Sequence, residues 1–360
     1  MVDVRIYSEK QKGKSMEKYL DYSIEQIAKL CKTPSPSGYT AKAQAYLVEE
    51  LAFLGYTPKL TNKGSVLVNL GGSGHGLILS AHVDTLGLMV RSIKPSGRLR
   101  FTQIGGFPNN YVETENCTVI TRDGREYSAT IQLVNPAAHI RKDIPDTKRD
   151  DANMEIVLDE KVFTKEDVKA LGISAGDFVA LDPRFVMTEK GFIKSRHLDD
   201  KASSGLLLAI AKYVREEKVQ LNRNIWLLFT MYEEVGHGGA AGYPENITEI
   251  ISVDMGVVGD DLETDEYKVS ICAKDSGGPY DYDITTALIQ LAKKNNLQYA
   301  VDVYPFYGSD ADVALTSGHD YRHGLIGPGV AASHGYERTH KEGLLNTMKL
   351  IKEYISGDAL

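Results

Sequence analysis

Five short segments of this 360-residue chain put histidine or carboxylate side chains where they could do chemistry. Ala81-His82-Val83-Asp84 closes an apolar run. Residues two apart in a strand share a face, so Asp84 is placed to hydrogen-bond the ring nitrogen of His82 that faces away from a metal. Arg196-His197-Leu198-Asp199-Asp200 stands directly before an apolar helical stretch. Adjacent aspartates there act either as an N-cap with a favourable dipole contact or as a carboxylate bridging two cations. The strongest segment is WLLFTMYEEVG, residues 226–236. Its apolar strand runs straight into Glu233 and Glu234, and charges at the edge of a core are costly unless they are paired or bind metal. Neighbouring glutamates can divide the work, one coordinating a cation while the other takes a proton from the attacking water. Asp254 ends a fourth segment, ISVDMG, and His334 sits in a fifth, Ser333-His334-Gly335, after a glycine-rich stretch.

Each pattern is common by itself. Together, two histidines, three carboxylates and one spare glutamate supply the mixed nitrogen and oxygen ligands that suit a pair of divalent ions, zinc or cobalt first and manganese as an alternative. Two such ions about 3.5–4 Å apart, sharing a carboxylate, would hold a hydroxide for attack on an amide carbonyl. His197, His237, His323 and His340 lie near these segments in sequence and could line a pocket without binding metal.

The surrounding sequence must position these groups. Met16, Tyr19, Leu20, Ile24, Ile27 and Leu30 recur at three and four, which predicts an amphipathic helix over residues 14–32, stopped by Pro34 and Pro36. A second helix is predicted over 39–54, ending at Gly55. SVLVNL (65–70) and GLILS (76–80) read as buried strands. Between residues 89 and 183 the texture changes to short β-like runs separated by Gly, Pro and Asp turns. The α/β rhythm then returns, with helices over 201–216, 284–296 and 344–355 and strands over 224–231, 250–254 and 299–304. The predicted fold class is α/β, with residues 1–88 and 189–360 forming a catalytic domain and 89–188 an inserted β-rich domain. Ligands of such a sheet gather beyond its strand carboxyl ends.

Composition narrows the function. A net charge of −8 with no basic stripe gives no electrostatic footprint for nucleic acid. No apolar stretch is long enough to span a bilayer, and the opening MVDVRIYSEKQKGKS lacks a signal-peptide core, so no membrane partner is expected. Three dispersed cysteines, Cys31, Cys117 and Cys272, fit a reducing compartment, and a cytoplasmic location is expected.

The order HxD, LDD, EE, VDMG, SHG resembles that of the co-catalytic metallo-aminopeptidases, and in detail the M42 family, the tetrahedral (TET) or glutamyl-aminopeptidase-like group. The resemblance covers nearly the whole chain. It implies a mixed-sheet α/β/α catalytic domain of the zinc-exopeptidase type with a barrel-like dimerisation domain inserted. It also implies His82 and Asp254 on one metal, His334 and Glu234 on the other, Asp199 bridging them, Asp84 orienting His82, and Glu233 as general base. The implied substrate is a short peptide or other small amide, and the implied assembly is a homo-oligomer built from dimers, up to a tetrahedral dodecamer. Tyr307 to Ala311 resembles the family's GTDA loop, and Gly105-Gly106 a GG turn of its inserted domain. Thr85, Lys201 and the segment Gly335 to His340 depart from the family pattern, and Arg338 within that segment could bind a substrate carboxylate or form a structural salt bridge. Two alternatives stay open: a two-metal amide hydrolase or deacylase acting on an acylated amino acid or dipeptide derivative, and a non-catalytic scaffold on the same fold. Adjacent glutamates are poorly placed for a glycosidase, whose carboxylates flank the bond.

Overall fold

The structure, a computed structural model, describes residues 4–357, with side chains described from Met16 onward. Residues 1–3 and 358–360, to which the expected catalytic domain extends, lie outside that range. The chain opens with α1 (Val4–Lys32), α2 (Ala41–Phe53), β1 (Lys59–Leu60), β2 (Val66–Gly71) and β3 (Gly76–His82). It continues through β4 (Gly87–Ile93), β5 (Leu99–Ile104), β6 (Asn116–Ile120), β7 (Glu126–Leu133), β8 (Met154–Leu158), α3 (Lys165–Ala170) and β9 (Phe178–Leu181). Next come β10 (Val186–Met187), β11 (Phe192–Ser195), α4 (Leu198–Glu216), β12 (Asn224–Thr230), β13 (Ile247–Val253) and β14 (Gly256–Val258). The last elements are β15 (Val269–Lys274), α5 (Tyr282–Lys294), β16 (Tyr299–Val303), α6 (Asp310–Thr316), β17 (Arg322–Ala331), β18 (Glu337–His340) and α7 (Lys341–Ser356).

Twelve strands make one mixed sheet with the central order β2-β12-β3-β13-β17-β18-β11. The middle strands β12, β3, β13 and β17 run parallel, as crossover connections require, and the flanking pairs are antiparallel. Helices α1, α2, α4, α5 and α7 bury their apolar stripes in one core against the sheet, and α6 packs in a smaller core with residues of the opposite face. The predicted stripe of α1, Met16 to Leu30, is buried throughout. Each such aliphatic side chain contributes roughly 1.5–3 kcal/mol on burial. Strands β4-β5-β8-β7-β6-β9 close into a separate barrel with its own core, in which Leu88, Phe101, Val119, Ile131 and Val179 are fully or almost fully buried. This α/β architecture with an inserted barrel agrees with the sequence reading of fold class. No helix among the described residues is long and apolar enough to cross a membrane.

The sequence passed over several elements. β17 looks like a loop because it carries Gly324, Gly327, Pro328 and Gly329, yet it is a strand because partners on both sides hold it there. A Cβ at Gly327 would overlap the Asp254 backbone, so glycine is what lets the two segments pass. In the connection between β8 and β9 of the barrel, Thr164 and Asp167 form a capping box that starts the short α3.

Lys201 is fully buried where α4 becomes regular, and its Nζ donates to the carbonyls of Leu30 at 2.9 Å and Thr33 at 2.8 Å. One side chain thus satisfies the Thr33 carbonyl left open just past α1, adds a second donor to that of Leu30, and ties α1 to α4. Lys201→Met keeps the stem, orphans the Thr33 carbonyl and leaves that of Leu30 with the Thr33 N–H alone. Denaturant titration should show a loss of about 2–3 kcal/mol; a loss below ~0.5 kcal/mol would show that the two bonds add nothing net to the fold.

Candidate metal centre and active site

Thr230 lies opposite His82 across β12 and β3, and Ser252 opposite Ser80 across β13 and β3, so three parallel strands end together at one edge of the sheet. His82 closes β3, the Glu233–Val235 turn follows β12, and Asp254 follows β13. Asp199 enters from the start of α4, where its ψ of 105° is not helical, and His334 from the loop after β17 with φ at 64°.

Asp199 is the hub. Its Oδ1 lies 2.9 Å from His82 Nε2, and its Oδ2 lies 3.4 Å from His334 Nε2. Glu233 Oε2 is 3.6 Å from His82 Nε2, and Glu234 Oε2 is 3.7 Å from His334 Nε2. One ligand atom each from His82, Asp199 and Asp254 falls within 4.8 Å of the other two. Both histidines use Nδ1 elsewhere: that of His82 lies 3.0 Å from the Asp84 carbonyl, and that of His334 lies 2.6 Å from the Gly106 carbonyl. With Nδ1–H donated to a carbonyl, each ring turns Nε2 toward the same aspartate, where it donates to the carboxylate when protonated and would offer a lone pair to a metal ion when it is not. These residues fit a divalent cation.

Asp84 meets His82 through both its carboxylate and its backbone. Its carboxylate stands 3.7 Å from His82 Nδ1, and the backbone carbonyl makes the closer contact. β3 stops at His82, so the strand alternation that would bring Asp84 onto the same face is lost. The buried Asp84 carboxylate accepts instead from the Glu233 N–H at 3.1 Å and from the Ser37 hydroxyl. It anchors the turn that carries Glu233.

The electrostatics follow from crowding acids in a buried place. Burial pushes the carboxyls of Glu233 and Glu234 well above their usual range, and burial with the charge of Asp199 lifts Asp254 to about 7. Burial opposes imidazolium at both histidines. It is outweighed by the hydrogen bond to Asp199 together with neighbouring carboxylates, which takes His82 well above its ordinary value and His334 to about 10. Asp199 is held below the usual carboxylate range: burial works against this, but the hydrogen bonds to His334 and His82 prevail. A cluster with this excess of negative charge favours cations, whether protons or metal ions.

A cavity of about 400 Å³ opens over the cluster, with Asp199, Glu233, Glu234, Asp254 and His334 in its lining and Tyr307, Ser309 and Asp312 among the others. Among the described residues no lysine or arginine lines it. The buried Asp310, in the loop singled out by resemblance, accepts from the Thr230 hydroxyl and from the Gly239 N–H at 2.5 Å, which braces the Glu233–Glu234 turn from behind. Glu337, which the sequence suggested could reshape the pocket mouth, is absent from the lining and accepts instead from the Asp199 N–H and the His334 N–H, a role the sequence did not reveal. The carbonyl of Gly106 has another such role; the GG pair was visible, but its contact with His334 depends on where the barrel sits.

The other histidines stay apart from the ligand cluster. His237 stacks on Tyr232, His197 precedes α4 with its charged form opposed by burial, His323 faces Asp312, and His340 packs against Phe192 and Tyr267. Arg338 pairs with Glu266 at 2.6 Å and covers the Phe192 ring, away from the cavity lining, so the salt-bridge alternative is the one observed.

Comparison with known proteins agrees with this picture. The sequence profile of the family described as M42 glutamyl aminopeptidase matches residues 64–350. YhfE of Bacillus subtilis (strain 168), which bears the name of an aminopeptidase, is 45% identical over 335 residues, covering 92% of this chain and 97% of that protein. The TET aminopeptidase of the marine sediment archaeon Thaumarchaeota archaeon SCGC AB-539-E09 superposes with a TM-score of 0.84 at 18% identity, covering 93% of this chain and 96% of that one. The TET1 peptidase of Pyrococcus horikoshii does so at 0.81 and 22% identity, over 92% and 98% of the respective chains. The two structures establish the shared fold, and the profile and the relative establish more: this chain belongs to the M42 glutamyl aminopeptidase family, and with it to the metal-dependent peptidases.

Proposed function

We propose that the protein removes N-terminal residues from short peptides, with one divalent ion held by His82 and Asp254, a second by His334 and Glu234, and Asp199 shared between them. The observation that carries this reading is the division of Asp199, one oxygen toward the Nε2 of each of two histidines whose Nδ1 atoms are both held by backbone carbonyls. Zinc or cobalt suits these donors, with manganese also admissible. Bound there, such ions would polarise the scissile carbonyl and make water a nucleophile near neutral pH. The protein's own part falls to Glu233. Its carboxylate reaches the cavity, its backbone is fixed by Asp84, and it takes the proton of the attacking water and returns it to the leaving amine.

The lining favours some substrates over others. Without lysine or arginine it offers no cation to an acidic side chain, while Asp312 would receive a basic one and Tyr307 and Val313 an apolar one. The order of turnover should therefore be basic or apolar residues first and glutamyl or aspartyl last. We further propose domain limits of 1–88 with 189–360 and 89–188, the barrel serving to pair chains. A homo-oligomer is in keeping with Pyrococcus horikoshii TET1, which can assemble into a tetrahedron or a large octahedral shell. Three buried free thiols are in keeping with the cytoplasm.

A panel of aminoacyl-p-nitroanilides with matched N-acetyl forms, run with zinc, cobalt or manganese on chelator-stripped protein, tests the assignment. Metal-dependent cleavage confined to free amines supports an aminopeptidase. Cleavage of the acetylated forms alone would make it a deacylase-type amide hydrolase, and fastest turnover of glutamyl substrates would overturn the proposed preference.

A further inference from the structure

We infer that Glu337 is a positioning residue that sets Asp199 and His334 at their working separation; the inference rests on the reading of the metal centre just proposed. Glu337 is 2% exposed and opens β18, where pairing with Ser195 on β11 fixes its backbone. Its Oε2 accepts from the Asp199 N–H at 3.0 Å, and its Oε1 accepts from the His334 N–H at 3.0 Å. The two donors belong to a helix start and a loop tip far apart in sequence, and their side chains face each other across 3.4 Å. Neither backbone follows a regular pattern: Asp199 departs from helix geometry and His334 is left-handed. Helix or sheet partners are not what serves these N–H groups, and the carboxylate supplies the acceptors that burial demands.

The same carboxylate is absent from the cavity lining, so it is turned toward the backbone of the candidate ligands and away from substrate. Arg196 adds a second hold on this loop by donating to the Gly335 carbonyl at 3.3 Å. Two N–H donors converging on separate oxygens need a carboxylate. An amide accepts one bond and presents its own NH₂ to the other donor, so Glu337→Gln is disruptive although it is nearly isosteric. The segment containing Glu337 departs from the family pattern, and this contact gives part of that departure a function.

The test uses the full chain, stripped with chelator and titrated with cobalt, with visible absorption reading the bound metal. Glu337→Gln should weaken cobalt binding by about 10- to 100-fold, the range for groups that orient metal ligands. At saturating cobalt, kcat should stay reduced while KM changes little. Thr339→Val is the control, because it removes the hydroxyl bond to the Gly329 carbonyl from the same strand without touching either ligand. Cobalt affinity within twofold of wild type for Glu337→Gln would overturn the inference, as would an equal loss in Thr339→Val. Should the Gln variant fail to fold, Glu337→Asp keeps the charge but is one methylene too short to reach both donors, and it is judged by the same criteria. Wild-type protein that takes up no cobalt would instead defeat the metal-centre reading itself.

Discussion

Glu233→Gln should lower kcat by about 10³-fold, inside the 10²–10⁴ range of a positioned general base, and leave metal content and KM near wild type. The substitution changes one oxygen to NH₂ and little else. Asp84 holds the residue through its backbone N–H, which glutamine retains, so the turn should keep its shape. The neighbouring Glu234 has a different task. Its Oε1 accepts from the Leu86 N–H at 3.2 Å and its Oε2 faces His334, so Glu234→Gln should cost metal as well as rate. Pre-steady-state kinetics with metal analysis on both variants separates the roles. Retention of more than about a tenth of wild-type kcat by Glu233→Gln would remove Glu233 as the base, and loss of metal from that variant would make it a ligand.

Much of this site was legible because its parts sit where local rules are strong. An apolar strand that leads into a carboxylate or a histidine is visible in any window: β3 ends in His82, Asp254 directly follows β13, and Glu233 comes three residues after β12. The LDD segment was legible because the helix beyond it has an unbroken apolar face. What stayed hidden depends on events outside any local window. Whether Asp84 turns its carboxylate or its carbonyl to His82 depends on the backbone leaving the strand directly after His82, two residues past the apolar run read from sequence. The partner of His334 Nδ1 is a carbonyl at the edge of the barrel, chosen by the docking of one unit on another. In sequence Glu337 is a candidate for the pocket mouth along with Arg338 and His340, and only the register of β18 on β11 turns it to the backbone of Asp199. β17 reads as a loop from its glycines, although sheet pairing on both sides overrides their weak strand preference. The pattern has a physical basis: residue type and period report what a segment can bury, while register and docking decide which polar atoms meet.

Asp199→Asn puts the hub itself to the test. The side chain keeps its shape, and its backbone N–H still donates to Glu337, so the start of α4 should stay in place. One of the two former carboxylate oxygens becomes an NH₂ that cannot bind a cation, and it must face either His82 at 2.9 Å or His334 at 3.4 Å. If Asp199 is shared by two ions, one site should lose its oxygen donor and the other should keep a weaker one. Metal content after equilibration should then fall by about half or more, and kcat/KM by about 10³-fold, since a Lewis-acid contribution of several kcal/mol is removed. His82→Ala makes a useful contrast. It removes a donor that faces only one side of Asp199, so it should spare the metal held by His334 and Glu234. Full metal content and near-normal turnover in Asp199→Asn would mean that the two histidines are joined through this carboxylate in geometry only, and the centre would have to be rebuilt around Asp254 and the glutamates. Loss of nearly all metal from His82→Ala would show that the two positions fill cooperatively, because the ion held by His334 and Glu234 then does not survive the loss of a donor from the other.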